Sequence, residues 1–430
     1  MLLRGNGTLN YEMLYSYAYT AIHEMSVLGK DLTRRFYASA PEQKLYAYFQ
    51  GCSEGGREGF SQVQRYGTLF DGVAVGAPAF RQAFLQVMHL FPLVAMQKRD
   101  YFPPPCELEA VNNFAVRACD EMDGRKDGVV SRTDLCKMHF HAGESRNEPY
   151  DCPAGRAAAF PGAPASGPAQ PAAKGRVAWQ AGAIAQDIWN GMWDSESRQV
   201  YVSFQPTSSL GDAATTYNSG AGRYEAVARG FGVQFVNQML RQTDSASLPL
   251  QDVTFDTLRG WILEGMQKFS NTVQTTWPDL SDFRAHGGKI LHFHGEADGA
   301  IPAASSTLYH DAVRRTMYPG RSFNASHEAL ADWYRLFLVP GAGHCGPSRE
   351  QPGPWPANAL ETLIAWVEKG VAPTRLPAAV AAGPNKGEVQ RLCSFPLRPM
   401  WKDNVMECEY DQNSIDSWMP RLDGIPVPVY

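Results

Sequence analysis

Ser53 stands in the pentapeptide Gly51-Cys52-Ser53-Glu54-Gly55, a Gly-x-Ser-x-Gly pattern. Its glycines permit the tight, strained turn that lifts a serine hydroxyl out of a sheet toward a helix N-terminus. In a chain with 39 glycines the pattern also arises by chance, so it needs partners. A serine hydroxyl becomes a nucleophile when a histidine takes its proton, and the histidine needs a carboxylate to hold its tautomer and stabilise the imidazolium. Downstream, Asp298 lies in Gly295-Glu296-Ala297-Asp298-Gly299 and His344 in Gly341-Ala342-Gly343-His344-Cys345. Glu296 is a competing carboxylate, and loop aspartates more often cap turns. His292 and His294 lie two apart on one strand face, a spacing found in metal sites and more often in cores. Cys52 precedes the serine and Cys345 follows the histidine, so a triad brings the two sulfurs together. A disulfide there would staple the catalytic loops, with two buried thiols as the alternative.

These residues need elements to hold them. Leu45 to Gln50 reads as a strand stopped by glycine, with a helix starting after Gly55-Gly56, which sets Ser53 on a strand-to-helix turn. Gly72-Val73-Ala74-Val75-Gly76 reads as a buried strand, followed by further strands at Lys289 to Phe293 and Arg335 to Val339. Asp298 and His344 each fall on the loop after one of these last two. A long amphipathic helix is predicted over 10–36, through Leu14, Tyr17, Ala18, Ala21, Met25, Leu28, Leu32 and Phe36, and another over 357–369. Short apolar strands alternating with helices indicate a parallel sheet. The chain order Ser, Asp, His is that of α/β-hydrolases, whose active groups gather at the carboxyl ends of the strands. The residues between the second and third strands break the alternation over far more than a normal connection, so an inserted lid domain is expected. Within it, Pro153 to Arg176 is rich in Pro, Ala and Gly, which predicts an exposed loop open to proteolytic nicking.

Composition limits the partners. A net charge of -5 and a pI near 6.1 give no basic field for nucleic acid or anionic lipid, and no apolar run is long enough to span a membrane. The first 30 residues carry no signal-peptide pattern. Against this, the eight cysteines include no Cys-x-x-Cys pair and point to disulfides, with buried thiols as the alternative. The sequons Asn6-Gly7-Thr8 and Asn324-Ala325-Ser326 are compatible with a secretory route.

The runs Gly-Cys-Ser-Glu-Gly-Gly-Arg-Glu-Gly over 51–59 and Gly-His-Cys over 343–345 resemble the tannase and feruloyl esterase family nearly end to end. Gln62-Val63-Gln64-Arg65, Gly76-Ala77-Pro78-Ala79-Phe80 and Leu397-Arg398-Pro399 are most similar to its fungal tannase branch, which hydrolyses galloyl esters and depsides. The resemblance implies an α/β-hydrolase core over 1–78 and 283–430 with a lid over 79–282. It implies a Ser53, Asp298, His344 triad, the Cys52–Cys345 bond, and no organic cofactor. It also implies a lid calcium site on Asp120, Asp123 and Asp127 with the carbonyls of Arg125 and Val129. Oxygen donors on a glycine-bent turn suit a hard cation, although the spacing is not that of an EF-hand, and Cys119 with Cys136 would close the loop. Cys393 with Cys408 resembles the family's tail disulfide, leaving Cys106 and Cys152 to pair by elimination.

One departure bears on function. The family carries strands before the 10–36 helix, including a glycine-rich loop that gives one oxyanion N–H, and this sequence starts beside that helix. The expectation is a shortened form of a longer secreted enzyme. The backbone N–H of Glu54 is then the oxyanion donor in hand, and loss of its companion costs on the order of 100-fold in turnover. The expected activity is a secreted serine esterase acting on small phenolic esters, galloyl by preference. The alternatives are a feruloyl esterase or an inactive phenolic-ester-binding protein.

Overall fold

Apolar strands become internal where both faces can be covered. The computed structural model describes residues 2–40, 42–156, 168–228, 230–348 and 350–430. In it β1 (Tyr48–Cys52), β2 (Gly72–Gly76), β3 (Lys289–Gly295) and β4 (Tyr334–Val339) form one parallel sheet in that order. Side chains alternate between its faces. Val73, Val75, Ile290 and Tyr334 pack with Phe60 of helix Glu54–Arg65 and with Tyr309 and Val313 of helix Ala303–Met317. Ala74, Leu291, Phe293, Phe337 and Val339 pack with Leu363 and Trp366 of helix Ala359–Lys369. Parallel register sets the ends of β1 and β2 level, Cys52 opposite Gly76, so the loops after them open on one edge.

Among the described residues between β2 and β3 the regular structure is mostly helical, with Pro105–Cys119, Trp179–Asn190 and Phe255–Phe269 the longest helices. Their buried faces, with Leu108, Ile184 and Ile262, form one apolar cluster with Ala303, Leu336, Leu338 and Trp418. Burial at about 25 cal/mol per Å² therefore ties the inserted region to the β4 side of the sheet.

The chain is helical from Tyr11 to Phe36, with a π-helical turn at Ser16–Thr20 between Tyr11–Tyr15 and Ala21–Phe36. The turn presents carbonyls to side chains of the Ser53 helix. Arg57 donates to the carbonyls of Ala18 (2.9 Å) and Tyr17 (3.1 Å), and Gln62 to that of Tyr19 (3.0 Å). The predicted apolar stripe, however, is buried only at Leu14 and Ala18, while Leu28, Leu32 and Phe36 are 69, 67 and 77% exposed.

Other expectations need correction. The first strand runs over 48–52 rather than 45–50, because pairing with β2 recruits Gly51 and Cys52, and the helix after it starts at Glu54. The stretch 153–176 is not one loop. Pro149–Cys152 pairs with Ala173–Arg176 and Gly155–Arg156 with Ala169–Gln170, so main-chain hydrogen bonds supply the order that apolar burial does not. Its residues 157–167 lie outside the described ones. The proline-rich tail forms antiparallel strands, Arg375–Val380 with Val389–Cys393 and Arg398–Lys402 with Val405–Glu409.

Candidate active site

Ser53 sits between β1 and helix Glu54–Arg65 with φ 64° and ψ -122°, a conformation that costs a non-glycine residue on the order of 1–3 kcal/mol. Its surroundings hold it there. The Ser53 N–H donates to the Gly76 carbonyl (3.0 Å), and its own carbonyl accepts from the N–H groups of Arg57 (3.1 Å) and Ala79 (3.1 Å). The turn leaves no room for side chains at two glycines. A Cβ on Gly51 would lie 2.6 Å from the Gly55 backbone, and one on Gly56 would lie 2.5 Å from the Gly76 carbonyl oxygen. A Cβ on Gly55 meets nothing within 4 Å, so the crowded positions are 51 and 56 rather than the two motif glycines.

His344 and Cys345 form the tip of a hairpin between Ala342–Gly343 and Gly346–Pro347, just past β4. Cys345 bonds to Cys52 with Cα atoms 6.0 Å apart, which fixes the hairpin tip to the end of β1. His344 Nε2 lies 2.8 Å from Ser53 Oγ, and His344 Nδ1 lies 2.9 Å from Asp298 Oδ2. The three residues predicted from sequence thus lie in one hydrogen-bonded line. Asp298 is 1% exposed, and its Oδ1 accepts the N–H groups of Ala300 (2.8 Å) and Ile301 (2.9 Å).

The electrostatics follow from these contacts. Burial alone would raise the Asp298 pKa, but hydrogen bonds from His294 and His344, with the charge His344 can carry, hold it well below the usual carboxylate range. Burial pulls His344 down and Asp298 pushes it up, and the net position lies above the ordinary imidazole value. The rival carboxylate, Glu296, points elsewhere. It takes the buried Arg398 guanidinium at 2.7 and 2.9 Å and the Thr133 hydroxyl, and Arg398 also meets Asp134.

The Glu54 N–H, in the first turn of its helix and next in sequence to Ser53, makes no hydrogen bond among the described residues. The Glu54 side chain binds Arg57 (2.6 Å) and accepts from Gln82 (2.8 Å). Gln82 and Tyr17 line a cavity of about 320 Å³ that also takes in Gln86, Phe231 and Phe235. Amide and aromatic groups in such a space can receive a ring bearing several hydroxyls.

Two histidines near the line were not assigned to it from sequence, His89 not at all and His294 only as a core or metal-site candidate with His292. His89, after helix Gln82–Met88, holds Asp212 at 2.7 Å. Burial lowers the His89 pKa, Asp212 raises it beyond that, and its charge acts on both Asp298 and His344. His294 contacts Asp298 at 3.3 Å. No local pattern marks His89, and the spacing of His292 and His294 marks a shared strand face without showing that one of them meets Asp298.

The acidic loop lies between Cys119 and Cys136, which are bonded to each other, as are Cys106 with Cys152 and Cys393 with Cys408. Asp120 accepts the N–H groups of Asp127, Gly128 and Val129, and Asp123 those of Arg125 and Ser131. Burial pushes the Asp123 carboxyl up to about 6. The carbonyls of Arg125 and Val129 accept no main-chain hydrogen bond among the described residues, which suits cation ligands. The acidic side chains themselves do not converge, for no group of three or more His, Cys, Asp or Glu is placed to hold a metal ion among the described residues. Oxygen donors of this kind are those a hard cation takes, but the carboxylates as placed do not gather into such a set.

The family model described as tannase and feruloyl esterase matches residues 3–415. A tannase of Aspergillus oryzae is 44% identical over 446 residues, a match that takes in all of this chain and 76% of the relative. A probable feruloyl esterase of Arthroderma benhamiae is 30% identical over 97% of this chain and 70% of its own length. The solved tannin acyl hydrolase from Aspergillus niger superposes with a TM-score of 0.94 at 47% identity, covering 100% of this chain and 76% of that one. The chain belongs to the tannase and feruloyl esterase family, has the α/β-hydrolase type of fold, and is a tannase-like carboxylic ester hydrolase.

Proposed function

We propose that this member of the family is a serine esterase that hydrolyses galloyl esters and depsides through an acyl-enzyme. The observation that carries the reading is the continuous line from Ser53 Oγ through His344 to Asp298, at 2.8 and 2.9 Å. His344 Nε2 takes the Ser53 proton as Oγ attacks the ester carbonyl carbon. The Glu54 N–H stabilises the oxyanion that forms, at a helix N-terminus whose dipole favours negative charge. Collapse expels the alcohol, which leaves with the proton from His344. Water activated by the same imidazole then attacks the acyl carbonyl, and its collapse frees the phenolic acid and restores Ser53. Asp298, its charge kept by its donors, stabilises the imidazolium in both halves.

Galloyl preference is supported by the 44% identity to a tannase against 30% to a probable feruloyl esterase. Comparing kcat/KM on propyl gallate and methyl ferulate tests it. The gallate is expected to be faster; preference for the ferulate reassigns the substrate, and tight binding of both without turnover leaves an inactive binding protein.

Two further roles go with this reading. Four disulfides fit an oxidising, extracellular location, and Asn6 and Asn324 are exposed as glycan acceptors must be. No helix among the described residues is long and apolar enough to cross a membrane. Calcium would be held by Asp120, Asp123, Asp127 and the carbonyls of Arg125 and Val129, where it would stabilise the inserted region without entering the chemistry.

A further inference from the structure

β3 turns Ile290, His292 and His294 to one face of the sheet, under helix Ala303–Met317 and beside Tyr334 of β4. His292, His294, Ser306 and Tyr334 are all fully buried, each at 0% exposure. They form a chain that ends on Asp298. The Tyr334 hydroxyl is 2.9 Å from His292 Nδ1, His292 Nε2 is 2.9 Å from Ser306 Oγ, and Ser306 Oγ is 2.7 Å from His294 Nδ1. His294 Nε2 then lies 3.0 Å from the Ile301 carbonyl and 3.3 Å from Asp298 Oδ2.

The protons in this chain can be placed from its two ends. A carbonyl and an ionised carboxylate only accept, so His294 Nε2 must carry hydrogen. In a neutral ring Nδ1 is then an acceptor, and it takes the one proton of Ser306. The Ser306 oxygen, having donated, accepts from His292 Nε2–H. His292 Nδ1 is left as an acceptor for the Tyr334 O–H. Every donor points the same way, toward Asp298, and each ring nitrogen is satisfied without a second charge in the core.

We propose that His294 is a positioning residue for the Asp298–His344 pair, and that Tyr334, His292 and Ser306 fix it as the neutral Nε2–H tautomer. This rests on the reading of Ser53, His344 and Asp298 as the reacting line. His294 gives Asp298 Oδ2 a second donor besides His344, so the carboxylate is fixed in orientation by four N–H groups. It also draws off part of the charge that His344 feels.

The groups packed around the chain are consistent with this neutral state. Burial, with the nearby imidazoles, lowers His292 and His310, and burial raises Tyr334, so these stay uncharged. His327 stacks on His310 at 5.4 Å and is likewise lowered by burial, and Tyr309 is raised. Two cations face this side: Arg81, whose Nη1 donates to the carbonyl (3.0 Å) and hydroxyl (2.8 Å) of Ser305, and Arg314, which is paired with Asp311 (2.7 and 2.9 Å) and Ser326 (2.7 Å) and helps to lower His310 and His327.

Two measurements on the full chain test the proposal. Ring ¹⁵N resonances of the wild-type protein should show His292 and His294 bare at Nδ1 and protonated at Nε2. An Nδ1–H tautomer or an imidazolium at His294 overturns it. The second is the pH dependence of kcat/KM on propyl gallate, whose acid midpoint does not depend on how much of a variant folds. His294→Leu should raise that midpoint by about 0.5 pH unit or more, because His344 then faces the undivided charge of Asp298. His294→Gln, whose amide places an N–H near the Nε2 position, should return it toward the wild-type value. Ser306→Ala should move it the same way as the leucine variant and less. A lower Tm and kcat in His294→Leu with an unmoved midpoint would make the residue merely structural. If the wild type hydrolyses no ester, the serine reading falls, while the tautomer measurement still decides the hydrogen-bond chain.

Discussion

The loop around Asp298 and the loop between Cys119 and Cys136 are built alike and completed differently. Both bury aspartates, both turn main-chain N–H groups onto them, and each lies beside a disulfide. At Asp298 the second oxygen meets two histidines, so the chain itself supplies the donors that a buried carboxylate needs, with His344 as the one that gains a positive charge in the reaction. Asp123 meets neutral donors from the Arg125 backbone and from Ser131, while the Arg125 guanidinium near Asp127 is also engaged by Glu388 at 2.8 Å. The first loop is thus complete as folded, whereas the second leaves the buried carboxylates of Asp120 and Asp123 without a positive partner among the described residues, which is the feature the calcium proposal rests on.

The largest effect should come from breaking the first loop. Asp298→Asn keeps the shape but replaces an acceptor with an amide in front of two imidazoles, and kcat on propyl gallate should fall by about 10⁴-fold with the fold retained. A loss under about 10-fold would show that the carboxylate does not govern His344. The second loop should fail differently. Removing divalent cations with a chelator should lower Tm by several degrees, roughly 2–3 kcal/mol of lost binding free energy, and added calcium should restore it. Turnover per folded molecule should not change, and a Tm indifferent to both treatments would remove calcium from the account. The smallest effect concerns the pH profile. Since Asp298 raises the His344 pKa, the imidazole stays protonated to higher pH, and the acid limb of kcat/KM should lie above the ordinary value of about 6.5. A limb below that value would mean that burial outweighs Asp298.

The two loops were not equally legible in the sequence. Ser53, Asp298 and His344 could be found because each lies just after an apolar strand, where local pattern and chemistry coincide. Gly72–Gly76 was read to the residue because all of it is buried, which leaves an apolar run without ambiguity. The first strand was read three residues early because Leu45 and Tyr46 look like strand residues, whereas its true end is set by pairing with β2. His89 was not found and His294 was noticed only as one of a strand-face pair, since a histidine gains its role from what the fold brings to it. The tail strands were hidden by their prolines and short length. The acidic loop, by contrast, was marked by composition alone, and its ligand set came from a family resemblance rather than from spacing.

The central claim is that Ser53 is the nucleophile of the line that Asp298 anchors. A fluorophosphonate probe followed by peptide mass mapping tests it most directly. The wild-type protein should carry the probe on Ser53, Asp298→Asn should label far more slowly, and Ser53→Ala should not label at that site. A folded wild-type protein that leaves Ser53 unmodified, or that carries the probe on another residue, would contradict the account.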